Sequence, residues 1–273
     1  MSPNSQGEVF PPGSYDPAVD PAYAPQSQPP PVRSSRSILS APATYVLVGI
    51  NCAVYAWMVL RGVSPTSPTT LQLIHFGATN PILILNGGQW WRLLAAIFVH
   101  VGIIHIATNM WCLWNLGLLG EPLLGPFGLG AVYVLTGIAG NLLSLAVNVI
   151  ARDGSSVGAG ASGAVFGIAG ILIVLLSNHR LPIPFSELRR LRRSVIQFAA
   201  LNLIIGIGAN YTSFVRIDNQ AHIGGFLCGL ALGVPLVPRM TSGRVRYLRR
   251  QKLTFGFATF LLLLFGYWIA KLR

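Results

Sequence analysis

The sequence predicts an all-α fold, a polytopic membrane helical bundle, and three observations carry that prediction. Of the 273 residues, 52% are hydrophobic and only 10% are charged, and the mean hydropathy is +0.59. A soluble domain usually carries about a quarter charged residues, so an ordinary cytosolic protein is excluded. The apolar residues fall in long runs separated by polar loops, and a run of about 20 such residues spans a hydrocarbon core as a helix. The runs are continuous rather than alternating. That favours helices over a closed barrel, the other structure that satisfies its own backbone in lipid.

Taken in order, residues 1–42 form a disordered Pro/Ser-rich cytosolic tail, since Pro29-Pro30-Pro31 and many Ser, Gln and Gly residues cannot build a core. Residues 1–37 hold no early apolar core, so no cleavable signal peptide is expected there. Seven apolar segments follow, over about 43–60, 93–118, 127–150, 159–177, 194–211, 220–238 and 253–271. The loop 61–92 has apolar content of its own in Leu71, Ile74, Ile82, Leu83, Trp90 and Trp91, and is expected in the membrane interface, where Trp prefers to sit. Residues 43–238 form the core, 239–252 a basic cytosolic loop, and 253–273 a seventh transmembrane helix with a short outer C-terminus. Cys52, Cys112 and Cys228 all lie in apolar segments and are expected to be packing residues rather than a disulfide set or a metal site.

The formal net charge of +12 would suggest nucleic acid on a soluble protein. Here the cations flank apolar spans and set orientation, so no nucleic-acid partner is expected. With the tail inside, 13 Lys and Arg residues fall on the cytosolic side and 6 on the other. The runs Arg189–Arg193 and Arg244–Lys252 would meet anionic lipid headgroups. By parity the second, fourth and sixth segments then run in the same direction, with their N-terminal ends on the outer side.

Polar side chains inside membrane helices are costly and are functional candidates for that reason. The second segment holds His100, His105 and Asn109, the fourth begins Gly160-Ala161-Ser162-Gly163, and the sixth begins Ala221-His222-Ile223-Gly224-Gly225. Alone, Ser162 is a small packing residue and His222 a helix-to-helix hydrogen-bonding group. Together they sit at similar shallow depth on two helices with small faces, Gly163, Gly167 and Gly170 on one and Gly225, Gly229 and Gly233 on the other. Small faces let backbones approach, as a Ser–His hydrogen bond requires. His105 and Asn109 are at i and i+4, share a face and can both donate, as can the Ser162 N–H near a helix N-terminus. Helix–helix hydrogen bonding is the other reading of that pair. His100, roughly 140° around an ideal helix from His105, is expected to brace the 61–92 loop.

Of the seven acidic residues, Asp218, at i−4 from His222, either orients the imidazole or is a solvated loop residue, so a dyad is favoured over a triad. No His-Glu-x-x-His zinc motif and no pair of intramembrane Asp residues occurs, so neither a metal nor another cofactor is expected. The composition of the fifth segment, with Asn202 and Gly206–Gly208, marks it as a candidate gate.

These motifs resemble the rhomboid intramembrane serine proteases over about residues 43–238. Gly160-Ala161-Ser162-Gly163 is similar to the family's nucleophile motif, and Ala221-His222-Ile223-Gly224-Gly225 with Gly229 to its histidine helix. His100, His105 and Asn109 match the second core helix, Trp91-Arg92 the first loop, and Gly117-x3-Glu121 the end of that helix, with Glu121 facing the cytosolic side. The resemblance implies a rhomboid-like six-helix core plus a C-terminal seventh transmembrane helix. It implies Ser162 as nucleophile, His222 as general base and then acid, and an oxyanion hole from His105, Asn109 and the Ser162 N–H. It further implies single-span membrane-protein substrates and a water-filled cavity open to the outer side. Phe166 departs from the Tyr that many members carry four residues after the serine. A compact chain of this kind suggests a bacterial plasma membrane. Two rival readings are a catalytically inactive relative that binds membrane-protein clients, although such relatives usually lack the serine or the histidine, and a small transporter, whose polar residues would line a path through the whole membrane.

Overall fold

The structure, a computed structural model, describes residues 41–178, 181, 183–211, 218–237 and 243–272, so the expected tail lies outside the described residues except for Ala41 and Pro42. The helices are α1 (Pro42–Leu60), α2 (Thr70–His75), α3 (Pro81–Leu85), α4 (Arg92–Ala95), α5 (Ile103–Ile150), α6 (Ser162–Leu175), α7 (Phe185–Tyr211), α8 (Asn219–Leu236) and α9 (Arg244–Lys271). Among the described residues there is no strand, only an isolated antiparallel bridge between Thr79 and Gly158. By length and hydropathy α1, α5 and α9 are able to cross a membrane.

The 48 residues of α5 would extend about 72 Å as one straight helix, more than twice the thickness of a hydrocarbon core. They do not run straight. Gly125, at φ 73° and ψ 167°, breaks the helix, and Pro126 starts the second arm where its missing N–H costs nothing. Gly120 faces Leu129 next to the break, and Gly137 faces Ile97 far from it, so the arms run back antiparallel. Residues 119–124, between the second and third expected segments, are therefore helix up to the break. Glu121 is buried there and does not face solvent: it accepts from the Ala43 N–H and Thr44 N–H, both at 2.8 Å, and from the Thr44 hydroxyl at 2.7 Å. The carboxylate thus caps the start of α1, where orphan donors and the helix dipole favour a negative charge.

The same break frees carbonyls that α9 takes up. Gln251 Nε2 donates to the Leu124 carbonyl at 2.7 Å, and the Tyr247 hydroxyl lies 3.2 Å from the carbonyls of both Leu123 and Leu236. Arg250 donates to Val237 O at 2.8 Å. Residues 244–252 are thus the first turns of α9 rather than a basic loop, and Arg189–Arg193 likewise lie within α7. Both runs keep a helical spacing that lets one face reach the bundle while the charges face outward, which composition alone does not reveal.

The loop 61–92 is more ordered than an interfacial strap. A Thr69–Gln72 capping box starts α2, and Asn80 caps α3. Ile84, Leu93 and Trp90 pack with Leu142, Leu145 and Ile269 of α5 and α9, so part of the loop is bundle core. The larger core surrounds α6, whose residues Gly163–Leu172 are all buried. The cysteines are free, with Cys112 buried, Cys228 half-buried and Cys52 exposed, so only Cys112 is fully a packing residue.

Removing the buried carboxylate would strand three donors at the start of α1. Glu121→Ala is expected to destabilise the fold by about 3 kcal/mol, read as a lowered unfolding midpoint in detergent micelles, while Glu121→Gln loses less.

Candidate active site

The centre of the molecule is the contact between α6 and α8. A Cβ at Gly225 would overlap the Gly163 carbonyl, one at Gly229 the Gly167 carbonyl, and one at Gly233 would come within 2.6 Å of Val174 Cβ. These pairs advance together along both helices, so α6 and α8 run parallel and nearly in step. Ser162, the first residue of α6, and His222, the fourth of α8, therefore stand at one level. The first arm of α5 joins them in the same direction: His105 lies against Gly160, and Gly120 against Ile168 and Leu172.

Phe166 stacks flat on the His222 imidazole, with ring centroids 4.4 Å apart and planes 12° apart. Residues i and i+4 share a helix face, so Ser162 lies on the same face of α6 as the Phe166 that meets His222. His222 is buried and Ser162 half-buried. His222 Nδ1 has no hydrogen-bond partner among the described residues. Asp218 is neither a partner of that nitrogen nor a solvated loop residue. Its Oδ1 accepts from the Ala221 N–H at 2.9 Å as the N-cap of α8, and its Oδ2 accepts from the Ser144 hydroxyl at 2.6 Å.

His105 is half-buried at the start of α5. The Val101 N–H points at its Nδ1, 3.3 Å away, so Nδ1 acts as acceptor and the neutral ring carries its proton on Nε2. A Cβ at Gly160 would sit 3.0 Å from that Nε2 and 2.6 Å from Cε1. Only a glycine fits, and φ 132° there demands one as well. Asn109, one turn further along the same face, donates to the His105 carbonyl at 2.9 Å and keeps a second amide hydrogen. His100 is not on this helix. Helix α4 ends at Ala95 and α5 begins at Ile103, so His100 lies in the link, fully buried, with its ring 5.3 Å from that of His105 and Nδ1 3.1 Å from the Phe98 carbonyl. Its Nε2 has no hydrogen-bond partner among the described residues, so no hydrogen bond from that nitrogen reaches the 61–92 loop.

The segment 154–161 that leads into Ser162 is pinned from outside. Thr79 exchanges backbone hydrogen bonds with Gly158, Asn80 Nδ2 donates to the Gly154 and Ser156 carbonyls, and the Gly160 N–H donates to Ala96 O at 2.9 Å. Arg92 holds the loop that supplies Thr79 and Asn80: it is buried, donates to the carbonyls of Ile74 and Ala78 at 2.6 and 3.0 Å and to Gln89 at 2.7 Å, and stacks on Trp91. Trp91 and Arg92 thus act on the site at one remove. Sequence reasoning missed Thr79, Asn80, Ser144 and also Gly140, where a Cβ would overlap the Ala221 carbonyl. The Gly137–Gly140 pair in an apolar segment was the signal for the last of these.

The pattern has known counterparts. A family model described as the Rhomboid domain matches residues 87–239, which include every group just described from His100 to His222. The chain belongs to the rhomboid family. It is 34% identical over 197 residues to Rhomboid protease GluP of Bacillus subtilis (strain 168), an alignment covering 70% of this chain and 35% of that protein. It is 34% identical over 182 residues to RHOMBOID-like protein 5 of Arabidopsis thaliana, covering 66% and 54%. With Rhomboid protease AarA of Providencia stuartii it shares 31% identity over 210 residues, covering 71% and 72%. The chain thus spans about a third to a half of several of the rhomboid relatives it matches, and most of AarA. Membership and the apolar helices together make this rhomboid an integral membrane protein.

Because the helix contact leaves no room for a side chain, Gly229→Val should destabilise the rhomboid core by several kcal/mol, more than the 1–3 kcal/mol typical of overpacking, since backbone rather than side chain must move. Thermal unfolding in detergent, with Gly256→Val on the open face of α9 as control, measures this.

Proposed function

We propose that this rhomboid is an intramembrane serine endopeptidase that cuts membrane-protein substrates with a Ser162–His222 dyad. One observation carries the reading: two glycine-lined helices run parallel and in step, so that their N-terminal ends bring Ser162 and the Phe166-stacked His222 to one level. The relatives GluP and AarA are named as proteases, which supports proteolysis as the activity.

In this mechanism the Ser162 oxygen attacks the scissile carbonyl carbon while His222 takes the hydroxyl proton. The developing oxyanion accepts from His105 Nε2–H, the free amide hydrogen of Asn109 and the Ser162 N–H, donors held before the substrate arrives. His222 then gives its proton to the leaving amine, and the C–N bond breaks to leave an acyl-enzyme. A water molecule, deprotonated by His222, attacks the ester, and the proton returns to Ser162 as the second product leaves. Water has to reach this level, which suits a nucleophile at the N-terminus of a 14-residue helix, about 21 Å long and shorter than the hydrocarbon core. The substrates in this reading are single-span proteins whose helices unwind easily near small residues.

The orientation follows from charge. Arg192 donates to Ser177 beyond the C-terminal end of α6, and Arg250 donates to Val237 at the end of α8, so both basic runs lie at the end opposite Ser162. Basic residues favour the cytosolic side, so the site opens outward in what we take to be a bacterial plasma membrane. A thiol-reactive, membrane-impermeant reagent added to intact cells should label Ser67→Cys and leave Arg246→Cys untouched; the reverse pattern inverts the topology.

Purified protein should cleave a single-span model substrate in liposomes, and Ser162→Ala and His222→Ala should each abolish cleavage. A fluorophosphonate probe should label the wild type and not Ser162→Ala. Cleavage by Ser162→Ala at the wild-type rate refutes the assignment. Asn109→Ala and His105→Ala should lower kcat by roughly 10²–10³-fold if they hold the oxyanion.

A further inference from the structure

A general base must hold its ring plane as well as its position. In a triad a carboxylate does this through the second ring nitrogen. Here His222 Nδ1 has no partner among the described residues, and Asp218 is engaged by Ala221 and Ser144. What fixes the plane is the face of Phe166, 4.4 Å away and nearly parallel. Phe166 has no hydroxyl with which to anchor itself, so its own tilt is set by packing. On its other contact lies Phe198 of α7, with centroids 6.4 Å apart and planes at 41°, within the range in which aromatic pairs attract. Three rings on three helices thus form a row: Phe198, Phe166, His222.

Helix α7 is the least embedded element that touches the site. Leu188, Val195 and Ala199 are buried and Leu203 packs against the core, while Ile196, Leu201, Ile204 and Ile205 are exposed. Phe198 is half-buried and packs against the core, as Leu191 and Leu203 of α7 do.

Resting on the protease reading above, we propose that Phe198 is a positioning residue for His222: its ring keeps Phe166 flat on the imidazole, so that α7 sets the geometry of the base. The seat of α7 and the readiness of the dyad are then one variable, and a substrate or lipid that shifts this helix alters the rate of the chemical step rather than binding alone.

The test uses the full chain in liposomes with Phe198→Ala, Phe198→Leu and Phe198→Tyr, and with Ile204→Ala as control on the same helix. Leu keeps apolar bulk and Tyr keeps the ring. Ala and Leu should lower kcat about tenfold or more, with KM changed less than about twofold, since small misplacements of a reacting group are costly. Tyr should restore most of the rate, and Ile204→Ala should change neither constant. Wild-type kcat in Phe198→Leu, or a loss confined to KM, overturns the proposal. A second readout does not depend on cleavage. In protein carrying isotope-labelled histidine, the His222 ring protons feel the ring current of Phe166. Their NMR signal should move in Phe198→Leu and return toward the wild-type position in Phe198→Tyr. An unmoved signal overturns the proposal. A moved signal in a protein that neither cleaves nor labels with fluorophosphonate would keep the positioning contact and overturn the protease reading instead.

Discussion

Everything around the site depends on how closely α6 and α8 approach. Gly225 and Gly229 lie against the carbonyls of Gly163 and Gly167, so the two backbones touch with no side chains between them. In lipid there is little hydrophobic force between helices, and close packing of small residues is a main source of association. The arrangement also explains why α6 can be short. It is enclosed by α5, α7 and α8, and its 14 residues are too few to span a hydrocarbon core.

Two acidic residues of the bundle follow a single pattern. Glu121 caps α1 and Asp218 caps α8, each satisfying helix N-terminal donors in the bundle. A buried carboxylate is stable there because hydrogen bonds and the helix dipole compensate its lost hydration. Among the described residues no acid pairs with His222 Nδ1, and the proposed base relies on aromatic stacking instead. This gives Phe166 a different weight from a tyrosine at the same position: it orients by its face alone and depends on what lies behind it.

How far the sequence revealed this depends on the range of each interaction. The parallel pairing of the fourth and sixth segments was legible because glycines spaced four apart mark a helix face, and a helix face is a local property. The level of Ser162 and His222 followed from the same spacing and from counting crossings. The fold of residues 61–92 was not legible, because Arg92 reaches the carbonyls of Ile74 and Ala78 and Thr79 pairs with Gly158, 79 residues away. Polar side chains in that loop anchor the segment before Ser162, through partners too distant in sequence for local spacing to show. Asp218 was read either as an imidazole partner at i−4 or as a solvated loop residue, whereas a residue just before a helix readily turns to cap it. The basic runs were read as loops because charge was weighed and helical spacing was not.

The direction of the helices unites the two ends of the molecule. The first arm of α5, α6 and α8 all start at the level of Ser162 and His222, so their positive dipole ends converge where the proposed oxyanion would form. Their negative ends converge on the other side, and there the cations gather: Arg250 donates to the Val237 carbonyl that closes α8, and Arg192 reaches Ser177 just beyond α6. One alignment thus favours a transient negative charge at one face and fixed positive charges at the other. In the proposed orientation the same positive charges would face the cytosol. A reversed helix among the three would weaken both effects together, which is why the parallel order of α6 and α8 is better understood as a requirement of the chemistry and of the topology than of either alone.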